Sequence, residues 1–161
     1  MARRSHSCNL RTGRFSEPGR IYLVTSRLDK RSTDFVDWRL GRLLVGELRD
    51  VQMAGLANSL AWVVMPDHFH WLVELRAGSL SAVVQRVKSK TAIAVNRVTG
   101  RQGRFWQWGY HDKAVRYEED LREFARYIIA NPVRAGLVKC VGDYPLWDTI
   151  WLDRRNQEVL S

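Results

Sequence analysis

Trp62–Leu75, WVVMPDHFHWLVEL, reads as strand, tight turn, strand. Trp62, Val63, Val64 and Met65 form an apolar run, and Pro66-Asp67 supplies turn chemistry. A second run begins at His68 and ends at Leu75. Residues two apart on a strand share a face, so His68 and His70 project together while Phe69 and Trp71 point the other way, toward a core. Two imidazoles side by side make half of a metal site. Alone, the pair reads more simply as an ordinary couple of core or surface histidines.

A second stretch, Ala125–Val138, ARYIIANPVRAGLV, raises the metal reading above the ordinary one. Leu121, Phe124, Ala125, Ile128 and Ile129 mark the apolar side of a helix running from Glu118 to about Ala130. Its acidic start, Glu118-Glu119-Asp120, suits the helix dipole. Tyr127 and Asn131 are four apart and share one edge of that face. Pro132 disfavours helix in the residue before it, which predicts a stop at Asn131-Pro132.

Outward from these two stretches, Ile21–Arg27 (IYLVTSR) predicts a first strand after Pro18-Gly19. The spacing of Val36, Leu40, Leu43, Leu44, Leu48 and Val51 predicts a helix over 36–56. Strands follow over 59–65 and 68–75. Ser79 then caps a second helix, Leu80–Val98, with Leu80, Val83, Val84, Val87, Thr91, Ala94, Val95 and Val98 as its apolar stripe. Arg86, Lys90 and Arg97 fall in a narrow sector beside that stripe. They read either as a solvated face or as phosphate contacts. Gly100–Gly109, GRQGRFWQWG, interleaves Phe105, Trp106 and Trp108 with Arg101 and Arg104. Stacked bases and a packed loop both fit it, with packing favoured for Trp106. Tyr110–Arg116 predicts a fourth strand. Leu146, Trp147 and Trp151 in the tail would cover the sheet or core. This βαββαβα rhythm predicts an α+β fold of split βαβ, ferredoxin-like type, with helices on one side of an antiparallel sheet.

Composition narrows the function classes. The 161 residues suit one domain with a real core. Lys and Arg number 26 against 17 Asp and Glu, giving +9 and a pI near 10.1. That charge calls for a polyanion, either nucleic acid or an anionic membrane surface. There is no run of 18 apolar residues and no secretory leader pattern, so a cytoplasmic protein is expected. Cys8 and Cys140 have no metal-type spacing and read as reduced thiols. The arginine-rich start divides the chain into a basic arm (1–17), a domain (18–152) and a short tail (153–161). Arg3, Arg4, Arg11 and Arg14 would lie along phosphates, unless the arm is merely a solvated tail.

Attack on a phosphodiester needs a nucleophile, a cation to neutralise phosphate oxygens and a groove that aligns the strand. Tyr127 is the candidate nucleophile, because a phenol ester conserves bond energy for rejoining. His68 and His70 are candidate ligands for the cation, and Asn131 offers an oxygen to the same ion. Of the five tyrosines, Tyr22 reads as packed, Tyr110 and Tyr117 flank a strand without a polar partner at helical spacing, and Tyr144 precedes Pro145 in the tail.

The segment PDHFHWLVEL resembles the His-hydrophobic-His motif of the HUH endonuclease superfamily. YIIANPVRAGLV resembles the tyrosine helix of the REP-associated tyrosine transposases, single-tyrosine relatives of the small insertion-sequence transposases. PGRIYLVTSR and FWQWGYHD are similar to that family too, so the resemblance covers most of residues 18–150. It implies an HUH-type domain on a central antiparallel sheet, acting on single-stranded DNA with REP-type hairpins. It implies attack by Tyr127 to leave a 5′-phosphotyrosine and a free 3′-hydroxyl, and Mg²⁺ or Mn²⁺ on His68 and His70. Asn131 occupies the position of a third polar ligand; as a neutral amide it would hold the metal loosely. A nucleoid-associated monomer is expected. Two other readings compete: a hairpin-binding protein that no longer cuts, and an RNA-binding domain of RRM type. The latter would want aromatics where His68 and His70 stand.

Overall fold

The computed structural model describes residues 16–116 and 118–151. Five strands form one sheet in the order β4-β1-β3-β2-β5, every neighbouring pair antiparallel. They are β1 (Ile21–Arg27), β2 (Ala57–Val64), β3 (His68–Leu75), β4 (His111–Val115) and β5 (Trp147–Thr149). The helices are α1 (Trp38–Met53), α2 (Leu80–Thr99), α3 (Glu118–Ile129) and α4 (Asn131–Arg134). The split βαβ order and the α+β class follow the sequence pattern.

The expected one-sided layering is corrected. Leu40, Leu44, Leu48 and Val51 of α1 and Val83, Val84 and Val87 of α2 pack with Val24, Phe69, Trp71, Val73 and Leu75 on one face. On the other face, Leu121, Ala125, Ile128 and Ile129 of α3 pack with Ala61, Val63 and Leu72. The reason lies in β3, the central strand. Trp71, Leu72 and Val73 are all fully buried, so both faces of the strand are covered. Leu72 shares its face with His70 and His68 by the two-residue repeat. The tyrosine-bearing helix therefore covers the histidine face, and Phe69 turns into the opposite core.

Local chemistry moves several boundaries. Asp34–Val36 forms a 3-10 turn, and α1 starts only at Trp38, because the Asp37 carboxylate accepts from the Arg39 N–H at 3.0 Å as N-cap. Val36 is consequently exposed rather than part of the stripe. Strand β2 begins at Ala57, ahead of the expected Ser59. Ser79 caps α2 as expected, accepting from Ala82 at 3.1 Å. Val98, near the end of that helix, is exposed and leaves the apolar stripe.

Asn131-Pro132 does not stop the helical path. Ala130 keeps helical angles and α4 follows at once, with Pro132 in its first turn, where the missing N–H costs nothing. The tail contributes β5 as well as Leu146. Gly41 gives Leu146 its place on α1: a Cβ there would collide with the Leu146 side chain. Among the described residues no helix is long and apolar enough to cross a membrane.

Candidate active site

His68 opens β3 opposite Arg27 of β1, and His70 lies opposite Thr25. The two rings stand edge to face with centroids 4.9 Å apart. Each is held by its Nδ1. His68 Nδ1–H donates to Asp67 Oδ1 at 2.5 Å, and Arg27 stands 3.8 Å from the other oxygen of that carboxylate. His70 Nδ1 and Thr25 Oγ1 are 2.7 Å apart. With Nδ1–H donating to the threonine, Nε2 of both rings carries the free lone pair. Burial, followed by the charges of His68, Arg27 and Arg134, lowers the pKa of His70 to about 4. The ring is thus a neutral base at physiological pH, the form a metal requires.

Tyr127 stands on the outer edge of α3 and is 60% exposed. The other described tyrosines are committed elsewhere. Tyr22 is buried and its hydroxyl accepts from the Glu17 N–H at 3.1 Å. Tyr110 is buried with its hydroxyl 3.0 Å from that of Ser81. Tyr144, although it lies in the tail, is well fixed: its hydroxyl donates to the Val64 carbonyl, and burial raises its pKa to about 12. Tyr117 lies outside the described residues.

Arg134 is the site residue that the sequence reading missed. Its guanidinium carbon lies 4.0 Å from the Tyr127 ring centroid, and Nη2 donates to Asn131 Oδ1 at 2.7 Å. Its charge is also among those that act on His70. One arginine thereby links the tyrosine, the amide and the histidine side. Asn131 Nδ2 is buried without a hydrogen-bond partner. The overlooked signal was the i,i+3 spacing of Asn131 and Arg134, disguised by the intervening proline.

The donor set fits a metal in part. Two imidazole rings are oriented by their Nδ1 partners, and that of His70 is neutral, but Asn131 Oδ1 is engaged by Arg134. Among the described residues no group of three or more His, Cys, Asp or Glu is arranged to hold an ion. Any bound ion would therefore take its remaining ligands from the amide, water and phosphate oxygens.

Of the expected DNA contacts, Arg3, Arg4, Arg11 and Arg14 lie outside the described residues. Arg86, Lys90 and Arg97 are all exposed on α2. Arg86 and Lys90 flank Glu47 of α1, whose carboxyl burial and the nearby Asp50 push up in pKa while the two cations pull it down. Lys90 and Arg86 thus belong to a ridge along the α1–α2 seam, on the sheet face opposite the histidines.

Residues 29–131 match the family described as "Transposase IS200 like". A REP-associated tyrosine transposase of Escherichia coli strain K12 is 36% identical over 87 residues, covering 53% of this chain and 50% of that protein. A Haemophilus influenzae relative named for the same activity is 28% identical over 99 residues, covering 55% of this chain and 56% of its own. The chain thus spans about half the length of the curated relatives it matches. A solved structure of a REP-associated tyrosine transposase bound to a REP hairpin superposes with a TM-score of 0.70 at 26% identity, covering 83% of this chain and 79% of the other.

Proposed function

Because the chain belongs to the family of IS200-like transposases, we propose that it is a hairpin-specific single-stranded DNA endonuclease and strand transferase of REP-type elements, working through a 5′-phosphotyrosine on Tyr127. The observation that carries this reading is the placement of Tyr127. It is the exposed tyrosine on the helix that covers the histidine face, with a guanidinium on its ring.

The Tyr127 oxygen attacks the scissile phosphorus and forms the new P–O bond. The bond from phosphorus to the 3′-oxygen breaks, and that oxygen leaves as a 3′-hydroxyl after taking a proton. The phenol proton passes to solvent, which reaches the exposed ring freely. His68 Nε2, His70 Nε2 and Asn131 Oδ1 would hold Mg²⁺ or Mn²⁺. When bound, that ion supplies positive charge for the phosphate oxygens as negative charge builds there. Rejoining is the reverse attack by a 3′-hydroxyl on the tyrosine ester.

Arg134 ties the parts together. A phosphate oxygen is a stronger partner for guanidinium than an amide oxygen, because the hydrogen bond becomes charge-assisted on both sides. Entry of the scissile phosphate therefore draws Arg134 away from Asn131 and frees Oδ1, the oxygen that would join the two imidazoles in holding a divalent ion. The protein works as a monomer in the cytoplasm beside the nucleoid, and its basic arm and the Arg86, Lys90 and Arg97 ridge hold the DNA backbone.

The test is an assay on REP-type hairpin DNA with single-stranded flanks, with and without Mg²⁺ or Mn²⁺. Divalent-dependent cutting with protein joined to the 5′ side is expected. Tight hairpin binding with no cut under any divalent ion would make the protein a non-cleaving hairpin binder. Preference for single-stranded RNA would move it to the RRM-like class.

A further inference from the structure

The loop from Gly100 to Tyr110 is fastened on both sides. Toward the sheet, the Asp29 N–H donates to the Phe105 carbonyl and the Gln107 N–H to the Arg27 carbonyl, each at 2.9 Å. Toward α2, Trp106 Nε1 donates to the Lys88 carbonyl at 2.9 Å, and Lys88 Nζ donates to the carbonyls of Gln107 and Gly109 at 3.2 and 2.6 Å. Phe105, Trp106 and Tyr110 are buried, whereas Trp108 is 70% exposed. A loop this well fixed holds one large indole in water, with the Arg104 guanidinium carbon 4.3 Å from its ring centroid. Between the loop and α2 runs a groove of about 410 Å³, mostly apolar, bordered by Trp108, Arg104, Gln85 and Ser89.

Resting on the reading above, we infer that this groove is a nucleobase-stacking subsite, where a base from the single-stranded DNA flanking the hairpin lies on Trp108. Stacking on an aromatic face accepts any base and is worth more than most single polar contacts. Arg104 covers one face of the indole, which leaves the other for a base, and its charge suits the phosphate of that nucleotide. Gln85 and Ser89 offer hydrogen bonds at the rim. A fixed loop means little ordering is left to do on binding. The loop is tied to the end of the sheet where the histidines begin: the Gln107 N–H donates to the Arg27 carbonyl, and Arg27 pairs with His68.

The test compares the full chain with Trp108→Ala and Trp108→Phe in EDTA, where no cutting intervenes. Anisotropy reads affinity for a REP-type DNA hairpin with single-stranded flanks and for the same hairpin blunt. Trp108→Ala is expected to weaken binding of flanked DNA about 5- to 150-fold, the range for one stacked base. Its affinity for blunt DNA should stay unchanged, and Trp108→Phe should regain most of the loss. Thermal melting of both variants verifies the fold. A wild-type chain that prefers flanked DNA while Trp108→Ala loses nothing, or loses equally on both probes, overturns the subsite alone. A wild-type chain that binds neither probe overturns the DNA reading with it.

Discussion

The two halves of the candidate site are built differently. The histidine half sits on the central strand of the sheet, with neighbours on both sides and each Nδ1 tied, to Asp67 and to Thr25. The tyrosine half stands on the outer edge of a twelve-residue helix, exposed, with one arginine against its ring. A strand inside a sheet fixes direction through its ladder, and a tied imidazole has no ring rotation left to lose. An exposed aromatic on a helix edge keeps its rotamers. The histidine half is therefore set before any substrate arrives, whereas the proposed nucleophile would be completed by it. Such a division suits the strand transfer proposed above, in which Tyr127 would accept a strand and later give it up.

The largest expected effect belongs to the strand. His68→Ala or His70→Ala should abolish divalent-dependent cleavage, measured on flanked hairpin DNA, while hairpin affinity in EDTA stays within a few-fold. Full cleavage by the double variant in Mg²⁺ would remove the metal half altogether. Next comes the link between the halves. Arg134→Ala should slow the single-turnover cut about 100- to 1,000-fold, the usual loss for one preset donor to a developing charge. An unchanged rate would show that the arginine only decorates the tyrosine.

A smaller effect separates rigid from adaptable parts of the strand half. Asp67→Asn and Thr25→Val leave the imidazoles in place but loosen their orientation. Each should weaken Mn²⁺ binding about 10- to 100-fold, read by calorimetry. If both bind Mn²⁺ as the wild type does, the histidines are oriented by packing rather than by their Nδ1 partners. The smallest effect concerns the cation ridge far from both halves. Replacing Arg86, Lys90 or Arg97 singly should flatten the log–log salt dependence of binding by about one unit for duplex DNA and somewhat less for single strands. Unchanged slopes in all three would assign the ridge to solvent and to Glu47.

How much of this could be read from the sequence follows the range of the forces involved. The His68–His70 face, the Phe69 core position, the Ser79 cap and the apolar side of α3 are set by repeats of two and about four residues, and they stood out at once. The layering did not. Whether α3 joins α1 and α2 or covers the opposite face depends on Leu72 being buried along with Trp71 and Val73, a fact of three dimensions. Thr25 as partner of His70 depends on the register of β1 against β3, which no local signal states. Arg134 was hidden because Pro132 reads as a stop, although proline in the first turn of a new helix lets the chain continue. Trp106 and Trp108 look alike in sequence, and only the packing of the loop buries the first and exposes the second.

Tyr127 as the nucleophile that takes up the 5′-phosphoryl group is tested most directly by a mapped adduct. Wild-type protein and Mg²⁺ are mixed with flanked REP-type hairpin DNA and quenched in denaturant. The product is digested, and the peptide carrying DNA is identified by mass. The expected result is a denaturant-resistant bond on the 5′ side of the cut, located on Tyr127, and its disappearance in Tyr127→Phe with fold and hairpin binding preserved. An adduct that survives in Tyr127→Phe, or one located on Tyr110, Tyr117 or Tyr144, would contradict it.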